Sequence, residues 1–242
     1  MITLACTGGI GSGKSYICKI FSAMGVPVYD SDSRTKALYD EDPQLRSALV
    51  DLLGREILTD ANADANAHAN SNATANANKV NVTACKSEIT HGDKPSCSFV
   101  ERINRRAMAV KIFGNPSLMK KMKEIVYPAV IKDFTKWKNQ FEDSAQGAAG
   151  VVPFVIFESA IILENPDALS IADKILTISS PLNIRIERVK QRDGGTDEEI
   201  KARLNNQWTD EQREAKADFV IVSDNKAALL PQVENVYNRL KG

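Results

Sequence analysis

Apolar positions fall into short runs separated by polar, helix-spaced stretches, and this alternation repeats along most of the chain. Ile2 to Cys6 is an apolar run that leads straight into a glycine-rich segment, and from Lys14 onward Ile17, Ile20, Phe21 and Met24 recur at helical spacing. The pattern predicts strand, loop and helix, with Gly25 closing the helix and a second strand over Val26 to Tyr29 that ends at Asp30. Ser31 to Leu53 reads as helical through Leu38, Leu45, Leu49 and Leu52, and Pro43 divides it into a pair of helices. Helical patterning returns from Val100 to Phe141, carried by Met108, Ile112, Leu118, Met122, Ile125 and Val126 and punctuated by Pro116 and Pro128. After a flexible lead-in over Gly147 to Gly150, Val151 to Phe157 is a nearly continuous apolar run ended by Glu158, the pattern of a strand buried on both faces of a parallel sheet. Lys174 to Ile178 is another such run, and Ser179-Ser180-Pro181 then starts a strongly basic helix. A last strand, Phe219 to Val222, ends at Ser223-Asp224-Asn225, and an amphipathic helix over Leu229 to Leu240 follows. Strands alternating with helices predict an α/β fold with a parallel sheet flanked by helices.

One stretch breaks the pattern. Between Thr59 and Phe99 alanine alternates with asparagine and other polar residues, and almost no large apolar side chain is present. Such a segment cannot form a packed core and predicts a loosely ordered surface insertion, with self-association or partner binding as the other reading of its asparagine tract. Its sequons at Asn72 and Asn81 matter only to a secreted chain. The N-terminus shows no secretory pattern and no apolar run is long enough to span a bilayer, so a cytoplasmic protein without membrane attachment is expected.

The 242 residues suit one sizeable domain, or a core that carries a smaller inserted one. Lys and Arg total 31, as do Asp and Glu, a balance that predicts no bulk affinity for nucleic acid or an anionic membrane and leaves a monomer or a small homo-oligomer equally open. Cys6, Cys18, Cys85 and Cys97 lack zinc or redox spacing, and Cys6 and Cys18 read as reduced core thiols. Both histidines, His68 and His91, lie in the alanine-asparagine segment, which disfavours a Ser-His-Asp relay or a histidine zinc site and turns the search for a general base to carboxylates.

The glycine-rich segment carries the strongest chemical signal. Gly8-Gly9-Ile10-Gly11-Ser12-Gly13-Lys14-Ser15 spells a phosphate loop between a buried strand and a helix, the context that gives the motif its meaning. Glycines let backbone amides wrap a polyphosphate at a helix N-terminus, Lys14 reaches the β- and γ-phosphates, and the Ser15 hydroxyl can ligate Mg2+. ATP and Mg2+ are therefore expected, with Tyr16 next to the loop in the nucleotide-holding set. Asp30 and Asp32 follow the second strand, where open α/β sheets present ligand groups. Asp30 reads either as a helix N-cap or as a ligand group, whereas Asp32 reads as the carboxylate that accepts or orients the acceptor's proton. Arg185, Arg188 and Arg192 mark the helix after Pro181, with Arg188 and Arg192 on one face. Such a stripe can close as a lid on ATP and stabilise charge on the transferred phosphoryl group, or it can be a solvated face paired with Glu187, Asp193, Asp197, Glu198 and Glu199. Guanine specificity is disfavoured: Asp51-Leu52-Leu53-Gly54 closes a helical stretch, and Asn225-Lys226-Ala227-Ala228 has Ala228 where a guanine-reading carboxylate belongs.

With these residues in view the chain resembles the dephospho-coenzyme A kinase family. The resemblance rests on TGGIGSGKS at the start, DSD at Asp30 to Asp32, INRRAMAVKIFGNP from Ile103 to Pro116, VPFVIFES from Val152 to Ser159, QRD at Gln191 to Asp193 and ADFVIVSDN from Ala217 to Asn225. It implies a P-loop, nucleoside-kinase-like fold with an inserted helical substrate-binding domain and a lid. The sheet core then comprises residues 1–30, 151–182 and 207–242, the acceptor-binding region residues 31–146 with the low-complexity insertion 59–99, and the lid residues 183–206. The implied reaction is transfer of the ATP γ-phosphoryl group to the ribose 3'-hydroxyl of dephospho-CoA. Asp32 falls on the family's catalytic carboxylate, Arg188 and Arg192 on its lid, and Asn225 near the adenine end of ATP, while Arg105, Arg106 and Glu158 join the acceptor-binding set. Tyr127-Pro128 stands where the family has His-Pro, and the alanine-asparagine segment is foreign to the pattern. Another small-molecule P-loop kinase, or a non-catalytic ATP-binding switch, remains the alternative on residues alone.

Overall fold

The computed structural model describes residues 1–60, 101–144, 152–205 and 207–241. Contacts divide the chain into two units, Met1–Leu38 with Lys123–Gly242, and Tyr39–Met122.

The first unit is built on a five-stranded sheet in the order β2-β5-β1-β6-β7. Its strands are β1 (Ile2–Thr7), β2 (Val28–Asp30), β5 (Phe154–Glu158), β6 (Lys174–Ser179) and β7 (Phe219–Val222). Every neighbouring pair is parallel. Helices on both faces bury the central strands, which is why β5 is buried at every position and reads as unbroken apolar sequence. Leu4, Ile17, Phe21, Phe154, Ile156, Leu176, Ile178, Ile221 and Val233 pack into one core between the sheet and the helices α1 (Lys14–Ala23) and α10 (Leu229–Lys241). Cys6 and Cys18 belong to this core as buried free thiols, and the Cys6 sulfur together with burial pushes the Cys18 thiol far up. β2 starts at Val28 instead of Val26, and the carbonyl of Pro27 already accepts the Ile156 amide, 2.9 Å away.

The expected helix pair after Asp30 is present as α2 (Ser31–Glu41) and α3 (Pro43–Leu53), where Asp42 caps Gln44 and Leu45 ahead of Pro43. The second unit buries Leu45, Leu49 and Leu53 of α3 with Ile57, Ile103, Met108 and Ile112. Two features differ from the sequence expectation. Leu58–Asp60 forms a strand, β3, paired antiparallel with β4 (Glu101–Ile103), so the helical pattern begins only at α4 (Arg105–Ile112), where Asn104 caps the Ala107 amide. Three-residue strands carry too few positions for alternation to show. Pro128 also fails to interrupt: α5 runs from Pro116 to Ser144 through it. Val126, Val130 and Phe134, spaced four apart and all buried, carry the helix past the missing hydrogen bond.

The basic segment forms α7 (Leu182–Asp193), after the one-turn α6 (Pro166–Leu169), and is followed by α8 (Asp197–Asn205) and α9 (Asp210–Glu214). A capping box between Thr209 and Gln212 starts α9. His68, His91, Cys85, Cys97, both sequons and Gly147 to Gly150 lie outside the described residues.

Candidate active site

The site grows from the carboxyl end of β1. Gly8, Gly11 and Gly13 turn the chain with φ of 153°, 77° and 97°, and α1 begins at Lys14. Gly13 supplies the N-cap in a left-handed conformation that a side chain would strain. The result is a loop with its amides gathered at a helix N-terminus, the arrangement that binds anions. The Ser12 hydroxyl is buried with no hydrogen-bond partner among the described residues, a donor available to a phosphate oxygen. Lys14 likewise has no ion-pair partner among them.

Close contact with α7 constrains two of the glycines. A Cβ on Gly9 would fall 1.9 Å from Nη2 of Arg185, and one on Gly11 would fall 2.5 Å from the Arg185 carbonyl oxygen. The α7 backbone and the Arg185 guanidinium therefore lie directly against the loop. Arg185 is only 6% exposed. It donates from Nε to the Ile10 carbonyl (3.0 Å) and from Nη1 to Asp210 (3.1 Å). Asp210 also accepts from Arg213, which is 1% exposed and whose own charge burial disfavours.

Arg188, one turn along, ties the loop to the ends of β6 and β7. Nη1 donates to the carbonyls of Gly11 (3.4 Å) and Ser12 (3.2 Å) and to the hydroxyls of Ser180 (3.3 Å) and Ser223 (3.1 Å). Nη2 reaches the Ser223 carbonyl (3.3 Å) and Asn225 Oδ1 (2.6 Å). Asn225 itself sits at φ 63°. Arg192 is placed differently. It pairs with Asp193 at 2.7 Å, and Arg203 adds a second pair at 3.2 Å, so hydrogen bonds from Arg192 and Arg203 hold the Asp193 carboxyl down at about 2. Lys190 pairs with Asp197 at 2.5 Å. The stripe thus divides, with Arg185 and Arg188 turned to the loop and Lys190 and Arg192 paired on an exposed face.

The acidic side of the site is set by sheet register. Glu158 lies opposite both Cys6 of β1 and Asp30 of β2, so the carboxyl ends of three strands stand side by side. Glu158 accepts the Ser15 hydroxyl at 2.7 Å. Asp30 caps α2: Oδ1 accepts the amides of Asp32 (3.0 Å) and Ser33 (3.1 Å), and Oδ2 accepts the Ser33 hydroxyl (2.6 Å). Asp32 is exposed, and its carboxylate has no hydrogen-bond partner among the described residues. Two residues on, Arg34 forms a two-point pair with Asp133 at 3.0 Å for each contact, and the Tyr29 hydroxyl donates to the same carboxylate at 2.6 Å. Burial raises the Asp133 carboxyl, but the hydrogen bonds from Arg34 and Tyr29 bring it below the ordinary value. Burial also raises the Tyr127 phenol, which senses the charges of Glu164 and Asp32.

Of the residues expected from sequence, the structure brings together Gly8 to Ser15, Glu158, Arg188 and Asn225. Tyr16 is exposed, and Arg105 and Arg106 stand exposed at the start of α4 in the second unit. Gln207, Asp210 and Arg213 went unnoticed. The Thr209-x-x-Gln212 capping box was the one local signal for the segment that carries them.

The model of the dephospho-CoA kinase family matches residues 2–81 and 96–228. The chain belongs to the dephospho-CoA kinase family. It is accordingly a kinase, in a family that completes coenzyme A synthesis. A dephospho-CoA kinase of Bacteroides fragilis is 28% identical across 96% of this chain and 89% of its own length. That of Porphyromonas gingivalis is 28% identical across 100% and 95%. Among solved structures, a Thermus thermophilus protein shares the fold with a TM-score of 0.65 at 22% identity, covering 99% of this chain and 95% of its own. The Campylobacter jejuni dephospho-CoA kinase does so with a TM-score of 0.56 at 18% identity, covering 99% and 96%. The family match runs through much of the alanine-asparagine segment and leaves only residues 82–95 of it unmatched, a narrower break than the 59–99 read from sequence.

Proposed function

We propose that the protein transfers the γ-phosphoryl group of ATP to the ribose 3'-hydroxyl of dephospho-CoA, releasing CoA and ADP in the cytoplasm. The observation that carries this reading lies at the carboxyl ends of the strands: the phosphate loop follows β1, Glu158 ends β5 and accepts the Ser15 hydroxyl, and Asp32, whose carboxylate has no partner among the described residues, stands two residues past Asp30 at the end of β2. The loop amides, Ser12 and Lys14 bind the polyphosphate. Asp32 receives or orients the acceptor hydroxyl's proton, with Asp30 shaping the turn that presents it. Arg188 holds positive charge against the loop, where charge on the transferred group develops, and Asn225, bonded to it, lies toward the adenine end. Arg192 belongs to the lid, and Arg105 and Arg106 serve the acceptor.

Ser15 and Glu158 are the groups that would hold Mg2+. Among the described residues there is no cluster of three or more His, Cys, Asp or Glu side chains able to bind a metal alone, which suits an ion that takes its remaining ligands from phosphates and water. An ion held there would supply positive charge against the polyphosphate. Also among the described residues, no helix is long and apolar enough to cross a membrane.

The test is ADP formation measured across a panel of acceptors. Turnover with dephospho-CoA well above that with nucleoside monophosphates or shikimate is expected; preference for one of the others refutes the assignment, and nucleotide binding without turnover on any acceptor shows a non-catalytic switch.

A further inference from the structure

We infer that Arg185 and Gln207 are positioning residues that set the shape of the phosphate loop through a single residue, Ile10, and so couple it to the lid. Ile10 is held on three sides. Its amide donates to Gln207 Oε1 at 2.9 Å, and its carbonyl accepts from Arg185 Nε at 3.0 Å. Its side chain packs on a small apolar cluster formed by Val189, Ile200 and Leu204 with Ile186. Those apolar residues lie on α7 and α8, while Arg185 and Gln207 stand at the two roots of the same helical pair. Both polar groups of one loop peptide residue are thus satisfied by side chains of the segment that enters and leaves the lid, instead of by the loop's own backbone.

The grip is stiff. Asp210 fixes the Arg185 guanidinium at 3.1 Å and accepts Arg213 at 3.1 Å and the Ser180 amide at 3.3 Å. Gly9 and Gly11 flank Ile10, and a Cβ on either would run into Arg185, so the loop and α7 lie in close contact on both sides of it. A loop held in this way has its amides ordered before nucleotide arrives, and the ordering cost is absent from binding. Ile10 thus links the loop to both helices at once, to α7 through Arg185 and to the end of α8 through Gln207.

This inference rests on the reading that the loop holds the phosphates of ATP, and the experiment separates the two. ATP binding is measured by calorimetry for the wild-type protein, Gln207→Leu and Gln207→Glu, each with a thermal unfolding midpoint as a fold control. Leucine removes the acceptor at similar size, and glutamate keeps an acceptor oxygen. Gln207→Leu is expected to weaken ATP binding about tenfold, the effect of losing one hydrogen bond, and Gln207→Glu to restore it to within about threefold. Hydrogen exchange at the Ile10 amide should speed up in Gln207→Leu and stay slow in Gln207→Glu. Equal ATP affinity and unchanged Ile10 exchange in Gln207→Leu overturn the positioning role while leaving ATP binding intact. Equal losses in both variants overturn it too, and a wild-type protein that binds no ATP overturns both readings.

Discussion

The glycines of the phosphate loop face Arg185 as well as the nucleotide proposed to bind them. Gly9 has no positive φ to explain it, so steric contact alone excludes a side chain: its Cβ would meet the guanidinium at 1.9 Å. Gly9→Ala is expected to push Arg185 off the Ile10 carbonyl and raise the KM for ATP by about tenfold, with a smaller change in kcat. Steady-state kinetics at varied ATP read this directly, and an unchanged KM contradicts it. Asp32 presents the opposite case, a residue whose surroundings leave its carboxylate exposed while Asp30 is consumed by the cap. Asp32→Asn should lower kcat by about 100-fold or more while ATP affinity holds, the usual size for a lost general base. Parallel loss of ATP binding would instead assign Asp32 to the nucleotide. The phosphate loop and Asp32 were legible because each is spelled locally, beside a strand end. Gln207 and Asp210 were not, because each acts on residues far away in sequence, as Gln207 does on Ile10 across 197 positions, and the Arg213 guanidinium bonds to Asp210 alone among the described residues.

Among the elements, α7 shows how one basic helix divides between the phosphate loop and a paired, exposed surface. Arg185 and Val189 share its buried side, and Arg188 reaches the loop, while Lys190 and Arg192 face acids on α8 and at the helix end. Charge composition reveals the stripe but not which arginine turns inward; that depends on where β6 and β7 end. The Arg192–Asp193–Arg203 cluster carries a pH signature. Because the folded Asp193 carboxyl lies at about 2, below the ordinary aspartate value near 3.9, its pairing stabilises the α7–α8 junction above about pH 4 and is lost as pH falls toward 2. A carboxyl carbon titration followed by NMR should give a midpoint near 2, moving toward about 3.9 when Arg192 and Arg203 are both changed to Gln. A wild-type midpoint near 4 rules the pairing out in solution. The short strands β3 and β4 and the uninterrupted α5 were missed for related reasons: short pairing and one-sided burial of Val126, Val130 and Phe134 are set by distant partners, not by local pattern.

For the whole molecule, the periodic runs correctly foretold a parallel sheet with helices on both faces, since buried parallel strands are apolar throughout. The alanine-asparagine stretch enters and leaves beside one antiparallel pair, with Asp60 opposite Glu101. That register is the start of a hairpin, which an Asn-Gly turn can close. Replacing residues 61–100 by Asn-Gly should therefore leave turnover within about threefold, because shortening a connection whose ends are already adjacent changes closure entropy little. A folded replacement with no turnover would give the stretch a direct part in catalysis. The proposed reaction is regiospecific phosphoryl transfer between the phosphate loop and Asp32. Phosphorus NMR of the product formed from ATP, Mg2+ and dephospho-CoA tests it most directly: a new ribose 3'-phosphomonoester appearing in step with ADP is the predicted result. A folded, ATP-binding protein that leaves dephospho-CoA unmodified, or phosphorylates it at another hydroxyl, contradicts it.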